Sequence, residues 1–242
     1  MIVIIQCAGS KVEGAATLRA GDGRAVRFVA QPELAASDGA LYARPDDDSG
    51  DGVSWREKLL VYNQADGANP LGLLPASRLY KPPIYSSLAA ALPASELFVL
   101  SAGWGLIRSD FLTPAYDITF STQAKPINLR KKSARYDDFC ALDLNDDQPV
   151  VFFGGKDYLP LFCALTWGYR GERSVFYNAQ IPPEAPGCRV QRFNTKRKTN
   201  WHYECAEVFL RGDLCLRSCV FIGRRDRAGC KVAPGRSAAL RS

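Results

Sequence analysis

Four short apolar runs set the limits on what this chain can fold into. Ile2–Gln6, Leu97–Ser101, Val150–Phe153 and 174–177 are rich in β-branched and aromatic residues, and each ends in glycine or polar residues. None alternates apolar with polar side chains, which is the pattern of a strand covered on both faces. Helical patterns fall between them: Trp55–Gln64 and 85–92 before the second run, 133–142 before the third, and 156–167 before the fourth. Strand and helix in alternation predict an α/β fold, a central and mostly parallel sheet flanked by helices. A weaker strand at 189–193 leads into a helix at 199–210, with Thr199 or Asn200 as its cap and Glu204 in its first turns.

The stretch 12–52 breaks this rhythm. It is rich in Gly, Ala and Asp, includes Asp46-Asp47-Asp48, and holds one apolar run at 26–30. It reads as an insertion near the N-terminus, on the periphery of the sheet, with a short hairpin. The chain has 242 residues, of which 47% are hydrophobic and 23% charged, enough for one domain carrying such an insertion. Residues 1–222 are therefore expected to form a single α/β domain and 223–242 a basic, disordered tail.

No apolar run reaches the ~18 residues of a membrane helix. Met1-Ile-Val-Ile-Ile lacks a basic start and a small-residue cleavage site, so it reads as a first strand and not as a signal peptide. A cytoplasmic monomer with no membrane association is the expectation. Eight cysteines are spread along the chain, several in apolar stretches where a reduced thiol acts as a small hydrophobe. In a reducing compartment they are not expected to form a disulfide framework.

The net charge of +6 is unevenly placed. Residues 224–242 carry six Arg and Lys against one Asp, and two further clusters are Arg130-Lys131-Lys132 and Lys196-Arg197-Lys198. Clustered cations suit a polyanion, although a solvated face would look the same.

The segments that follow the runs carry the chemistry. The first run enters Gln6-Cys7-Ala8-Gly9-Ser10-Lys11 and the second Ser101-Ala102-Gly103-Trp104-Gly105. The third enters Gly154-Gly155-Lys156-Asp157-Tyr158, and the weaker strand enters Asn194-Thr195-Lys196-Arg197-Lys198. In an open parallel sheet these loops all leave at the carboxyl edge, where such folds bind ligands. Glycines there let backbone N–H groups approach a ligand, and helix N-termini favour anions. No loop matches the phosphate-binding GxxxxGK[ST] pattern or the dinucleotide GxGxxG fingerprint, which argues against ATPase and dinucleotide functions.

Two carboxylates, Asp110 and Asp117, flank a segment bearing Tyr116 and follow Trp104. Carboxylates beside aromatic rings suit a cationic, sugar-centred transition state or the activation of water. Equally, Asp110 would cap a turn and Asp117 would pair with a basic neighbouring side chain. His202, the one histidine, sits near a helix start and fits either a proton donor to a leaving group or a plain polar helix-start residue. A zinc site built from His202, Cys205, Cys215 and Cys219 has no standard finger spacing, and no metal or organic cofactor is expected.

Cys7-Ala8-Gly9-Ser10-Lys11, Tyr80-Lys81-Pro82-Pro83-Ile84-Tyr85 and Leu100-Ser101-Ala102-Gly103-Trp104-Gly105-Leu106-Ile107, followed by Asp110 and Tyr116-Asp117, resemble the bacterial YaaA-like group and its relatives. The resemblance covers roughly the first two-thirds of the chain outside the insertion. It implies DNA binding, a link to oxidative stress, modified DNA bases and conflict with phage, and, in some relatives, DNA glycosylases that leave an abasic site. The expectation is then a DNA glycosylase that flips a modified base out of double-stranded DNA and excises it, serving antiviral defence. Asp110, Asp117 and His202 would do the chemistry. Gln6, Gly9, Ser10, Lys11, Tyr80, Tyr85, Ser101, Gly103, Trp104, Tyr116, Lys156 and Asn200 would hold the substrate, with the aromatics stacking on the base. Arg130, Lys131, Lys132, Lys196, Arg197 and Lys198 would neutralise backbone phosphates. Two competing readings remain, a nucleotide or nucleoside base-exchange enzyme or hydrolase, and a non-catalytic DNA-binding stress-response protein. Lys11 or Lys156 would serve as nucleophile if the reaction ran through a Schiff base.

Overall fold

The computed structural model of the chain describes residues 1–65 and 67–214. The expected tail at 223–242, the domain end at 222, and Cys215 and Cys219 lie outside the described residues. In chain order the elements are β1 (Ile2–Gln6), β2 (Val26–Val29), β3 (Leu41–Ala43), α1 (Trp55–Gln64), β4 (Leu74–Pro75), α2 (Ala76–Leu79), α3 (Ile84–Ala91) and β5 (Leu97–Ser101). Then come β6 (Gly105–Arg108), β7 (Leu112–Thr113), β8 (Tyr116–Asp117), β9 (Phe139–Cys140), β10 (Val150–Phe153), α4 (Leu159–Leu165), β11 (Arg173–Tyr177), β12 (Arg189–Arg192) and α5 (Trp201–Leu210).

A seven-stranded sheet in the order β12-β11-β10-β1-β5-β6-β9 forms the centre, parallel throughout except where β5 meets β6. The continuous apolar runs are its inner strands, and β1, β5 and β10 are buried along almost their whole length. Helices cover both faces. Phe152 stacks on Phe162 of α4 with ring centroids 4.5 Å apart, while its neighbour Phe153 meets Phe209 of α5 at 5.4 Å. Consecutive strand residues point to opposite faces, so α4 and α5 lie on opposite sides of the sheet. The α1 helix starts at a capping box in which the Ser54 hydroxyl accepts from the Glu57 N–H and the Glu57 carboxylate accepts from the Ser54 N–H.

The sequence expectations depart from the structure in three places. The stretch 133–142 is not a helix. Phe139 N–H donates to the Trp104 carbonyl at 3.0 Å and Ala141 N–H to the Leu106 carbonyl at 2.9 Å, so the edge of β6 takes the backbone a helix would need. The chain reverses after β5 in a tight turn that the sequence reading took for an open loop, and β6 runs antiparallel back along β5. Gly105 makes this reversal with φ +87°, and a Cβ on it would lie 2.4 Å from the Phe139 carbonyl oxygen. The insertion lies outside the central sheet, as expected, but it is not a hairpin. Its strands β2 and β3 are parallel, and β2 pairs in parallel with β8, Phe28 beside Tyr116 and Val29 beside Asp117. Phe28 then packs edge-on against Trp104 at 5.1 Å and Trp55 at 5.9 Å, which anchors the insertion in the core.

Among the described residues, no helix is long and apolar enough to cross a membrane.

Candidate functional site

Parallel register puts the ends of β1, β5 and β10 side by side, with Gln6 next to Leu100 and Ile5 next to Phe153. The loops they release are tied to one another. The Gln6 side-chain oxygen accepts from the Gly155 N–H at 2.6 Å, and the Tyr85 hydroxyl donates to the Gln6 carbonyl at 2.6 Å. The Cys7 thiol lies 3.2 Å from the Tyr158 hydroxyl. On the other side of β1, the Ser101 hydroxyl donates to the Tyr116 phenol at 2.9 Å, and Tyr116 meets the Tyr80 hydroxyl at 2.8 Å. Ser101 also accepts from the N–H groups of Gly103 and Trp104, which fixes the hairpin turn. Its three carbonyls are held as well: Arg130 donates to Ala102 at 2.8 Å, and Arg56 donates to Gly103 at 2.9 Å and to Trp104 at 3.0 Å. The carboxyl edge is thus a rigid platform with few unsatisfied backbone groups.

A groove of about 640 Å³ opens on this platform, with Gly9, Lys11, Arg27, Tyr42, Asp117 and Asn128 among its walls. The Lys11 ammonium sits 4.2 Å from the centre of the Tyr116 ring, a cation–π contact, and within 3.5 Å of the Gly9 carbonyl. Burial lowers its pKa, and the fields of Cys7 and the Asp117 carboxylate partly oppose that fall. Asp117 itself is exposed at the end of β8. The groove thus brings a partly desolvated amine and an exposed carboxylate to one wall, the two kinds of group that acid–base and nucleophilic chemistry use. A second groove of about 610 Å³ lies past β12, lined by Asn178, Arg192, Asn194, Lys196, Arg197 and Glu204.

Gln6, Gly9, Ser10, Lys11, Ser101, Gly103, Tyr116, Asp117 and Lys156 therefore share the carboxyl edge. Gly9, Ser10 and Lys156 are exposed there, whereas Ser101, Gly103 and Tyr116 are buried beneath it. Asn200 is exposed at the start of α5 in a left-handed conformation, φ 53°, and its side chain makes no cap bond. Glu204 instead accepts from the Thr195 hydroxyl at 2.8 Å and pairs with Arg197 at 3.3 Å.

Several assignments need correction. Asp110 is not in the site, because the antiparallel β6 carries it to the opposite edge of the sheet, where it forms a two-point ion pair with Arg108. Trp104, Tyr80 and Tyr85 cannot stack on a ligand: Trp104 is fully buried against Phe28, and Tyr80 and Tyr85 pack on each other with centroids 4.8 Å apart. Arg130 is 4% exposed, bound to Asp138 and stacked 3.8 Å over the Tyr136 ring, so it holds the fold and not a phosphate. Lys132 pairs with Asp157 at 2.8 Å, while Lys131, Lys196, Arg197 and Lys198 are exposed.

His202 is buried at 4% exposure, and desolvation brings its pKa down to about 4. It is neutral at physiological pH and poorly placed as an acid. Its folded-state pKa lies below the unfolded value, so the unfolded chain takes up the proton first as the pH falls. Stability present above pH ~6.5 is then lost towards pH ~4, by about 3 kcal/mol in all. Chemical denaturation across this window is expected to show the loss in the native chain and a flatter profile in His202→Phe.

Among the described residues, no group of three His, Cys, Asp or Glu side chains is placed to hold a metal ion. Sequence reasoning missed Arg27 and Tyr42, because only the β2–β8 pairing brings the insertion to the groove, with the apolar run at 26–30 as the one visible signal, and it missed Asn128, whose carbonyl accepts from the Thr119 N–H at 2.9 Å.

No protein-family model, curated protein or solved structure matches this chain. The functional reading therefore stands on its geometry.

Proposed function

We propose that the protein is a DNA glycosylase that excises a modified base from double-stranded DNA, with its reactive centre at Lys11 and Asp117 and antiviral defence as its role. The observation that carries this reading is the contact of a half-buried Lys11 with the Tyr116 ring, next to Asp117, in an open groove on the carboxyl edge. In the hydrolytic form, the Asp117 carboxylate stabilises positive charge on the sugar and takes a proton from the attacking water. The bond from C1′ to the base nitrogen breaks, its electron pair leaves with the base, and the water oxygen bonds to C1′. Lys11 then holds the leaving base or a flanking phosphate as a cation. In the covalent form, the Lys11 amine, its proton lost to solvent, attacks C1′ as the bond to the base nitrogen breaks and the base leaves with the electron pair; the C1′–O4′ bond then opens to give a Schiff base, which water hydrolyses. The lowered pKa of Lys11 supports the second route, and borohydride reduction separates the two by trapping a protein–DNA adduct only in the covalent one.

The exposed cations follow the same edge. From β12 to β5 the sheet spans about 19 Å, four inter-strand spacings of about 4.8 Å. Lys156, Lys196 and Lys198 are exposed on loops that leave this edge and Lys11 is half-buried on another, and the width of the edge matches roughly five nucleotides at about 3.4 Å per phosphate. Replacing Lys131, Lys196 and Lys198 by alanine together is expected to weaken binding alike for all sequences. The slope of log K against log salt should fall by about 0.9 for each phosphate contact removed. An unchanged slope in a fluorescence-anisotropy titration would show that DNA lies elsewhere.

The decisive assay incubates the full chain with unmodified DNA, modified phage DNA and free nucleotides, and measures released base and alkali-labile sites. Abasic sites confined to modified DNA uphold the reading. Turnover of free nucleotides alone, or binding with no release, replaces it with a nucleotide enzyme or a non-catalytic DNA-binding protein.

A further inference from the structure

Away from the groove, two cysteines that the proposed chemistry does not use are brought together by a buried arginine. Ser174 of β11 is the partner of Arg189 of β12, so the residues one step earlier, Arg173 and Cys188, lie side by side. Val150 pairs with Arg173 and Phe152 with Val175, and Phe152 packs on α4, so Arg173 faces α4 as well. Its guanidinium, 5% exposed, then clamps the two segments. It donates to the Thr166 carbonyl at 2.8 Å and hydroxyl at 3.0 Å at the end of α4, and to the Gly187 carbonyl at 3.2 Å just before Cys188.

Cys163 lies three residues before Thr166, on the same buried face of α4. Gly187 takes φ +69°, and a Cβ on it would lie 2.4 Å from the Arg173 guanidinium, so the turn that delivers Cys188 fits only glycine. Both thiols are free, Cys163 buried and Cys188 half-buried, and the Cys188 thiol donates to the Pro186 carbonyl at 3.6 Å.

The geometry points to Cys188 as a reactive thiol, with Cys163 as its resolving partner, that exchanges with low-molecular-weight disulfides to form an intramolecular Cys163–Cys188 bond. The Cys188 thiolate attacks one sulfur of RS–SR; a Cys188–S–SR bond forms and RS⁻ leaves, taking a proton from water. Cys163 then gives up its proton to solvent and attacks the Cys188 sulfur. The Cys163–Cys188 bond forms and the second RS⁻ leaves. Two protein thiols are oxidised and one disulfide is reduced to two thiols. The local electrostatics agree. Proximity to the Cys163 thiol lowers the Cys188 pKa to about 7, with Arg173 assisting and burial opposing, while the same proximity pushes Cys163 up.

Reduced full-length protein treated with oxidised glutathione tests this by peptide mapping. The expected product is a Cys163–Cys188 cross-link with loss of two hydrogens. Cys163→Ser and Cys163→Ala should each stop at a glutathione adduct on Cys188, and Cys188→Ser should leave Cys163 reduced. In the unaltered chain, brief alkylation at neutral pH should label Cys188 about tenfold faster than Cys163. The proposal is overturned if the exposed Cys140 takes the adduct while Cys188 stays free, or if the two thiols alkylate at equal rates. None of these readouts depends on DNA or on the proposed glycosylase activity.

Discussion

Asp117→Asn is expected to slow base release from modified DNA by about 10²–10⁴-fold, the range of a lost general base or charge-stabilising carboxylate. Asparagine keeps the size of the side chain and removes its charge. Because Asp117 is exposed at the end of a two-residue strand, the fold should not feel the change. DNA binding measured without turnover should stay within a few-fold of the native value. Asp110→Asn is the matched control, since Asp110 lies at the far edge of the sheet on Arg108 and should leave the rate unaltered. Lys11→Met should fall as far as Asp117→Asn if the amine is the nucleophile, and borohydride trapping should then vanish with it. Full activity in Asp117→Asn would remove that carboxylate from the mechanism even where excision itself is observed.

Arg130→Ala is expected to cost about 3–5 kcal/mol, because it strands the Asp138 carboxylate, itself 6% exposed, in a low-dielectric site. The Ala102 carbonyl in the hairpin turn loses its donor as well. For a domain of this size that loss lowers the melting temperature by about 10 °C or more. Desolvation already raises the Asp138 pKa, with Arg130 opposing the rise. A folded-state value above the unfolded one means that protonation favours the native state, and that this support is lost as the pH rises through the folded pKa. The damage in Arg130→Ala should accordingly be smaller in mild acid than at neutral pH, and the double variant Arg130→Ala/Asp138→Asn should recover part of it. A melting temperature within a degree or two of native would show that the pair contributes little.

Much of the architecture was legible in the chain. Continuous apolar runs gave β1, β5 and β10 to the residue, because strands buried on both faces leave no room for polar alternation. The loops after them were rightly placed on one edge, since a parallel sheet allows nothing else. What stayed hidden depended on pairing between distant segments. The expected helix at 133–142 has adequate local propensity, but the exposed edge of β6 and the Arg130–Asp138 pair claim it. Asp110 and Asp117 look equivalent in one dimension; the turn at Gly105 sends them to opposite edges. Aromatic and cationic side chains that suggested a ligand, Trp104, Tyr80, Tyr85 and Arg130, proved to be the buried support of the groove. Their types gave no warning, since burial is a property of the assembled layers.

The central position of β1 has a consequence for synthesis. During synthesis β1 is made before both of its neighbours, β5 on one side and β10 on the other, whose Val150 lies opposite Ile2. Until β10 has emerged, a run of Ile and Val waits with an open edge, and closing so long a loop makes folding slow. A helper that shields the nascent strand is therefore expected to raise the yield of native protein.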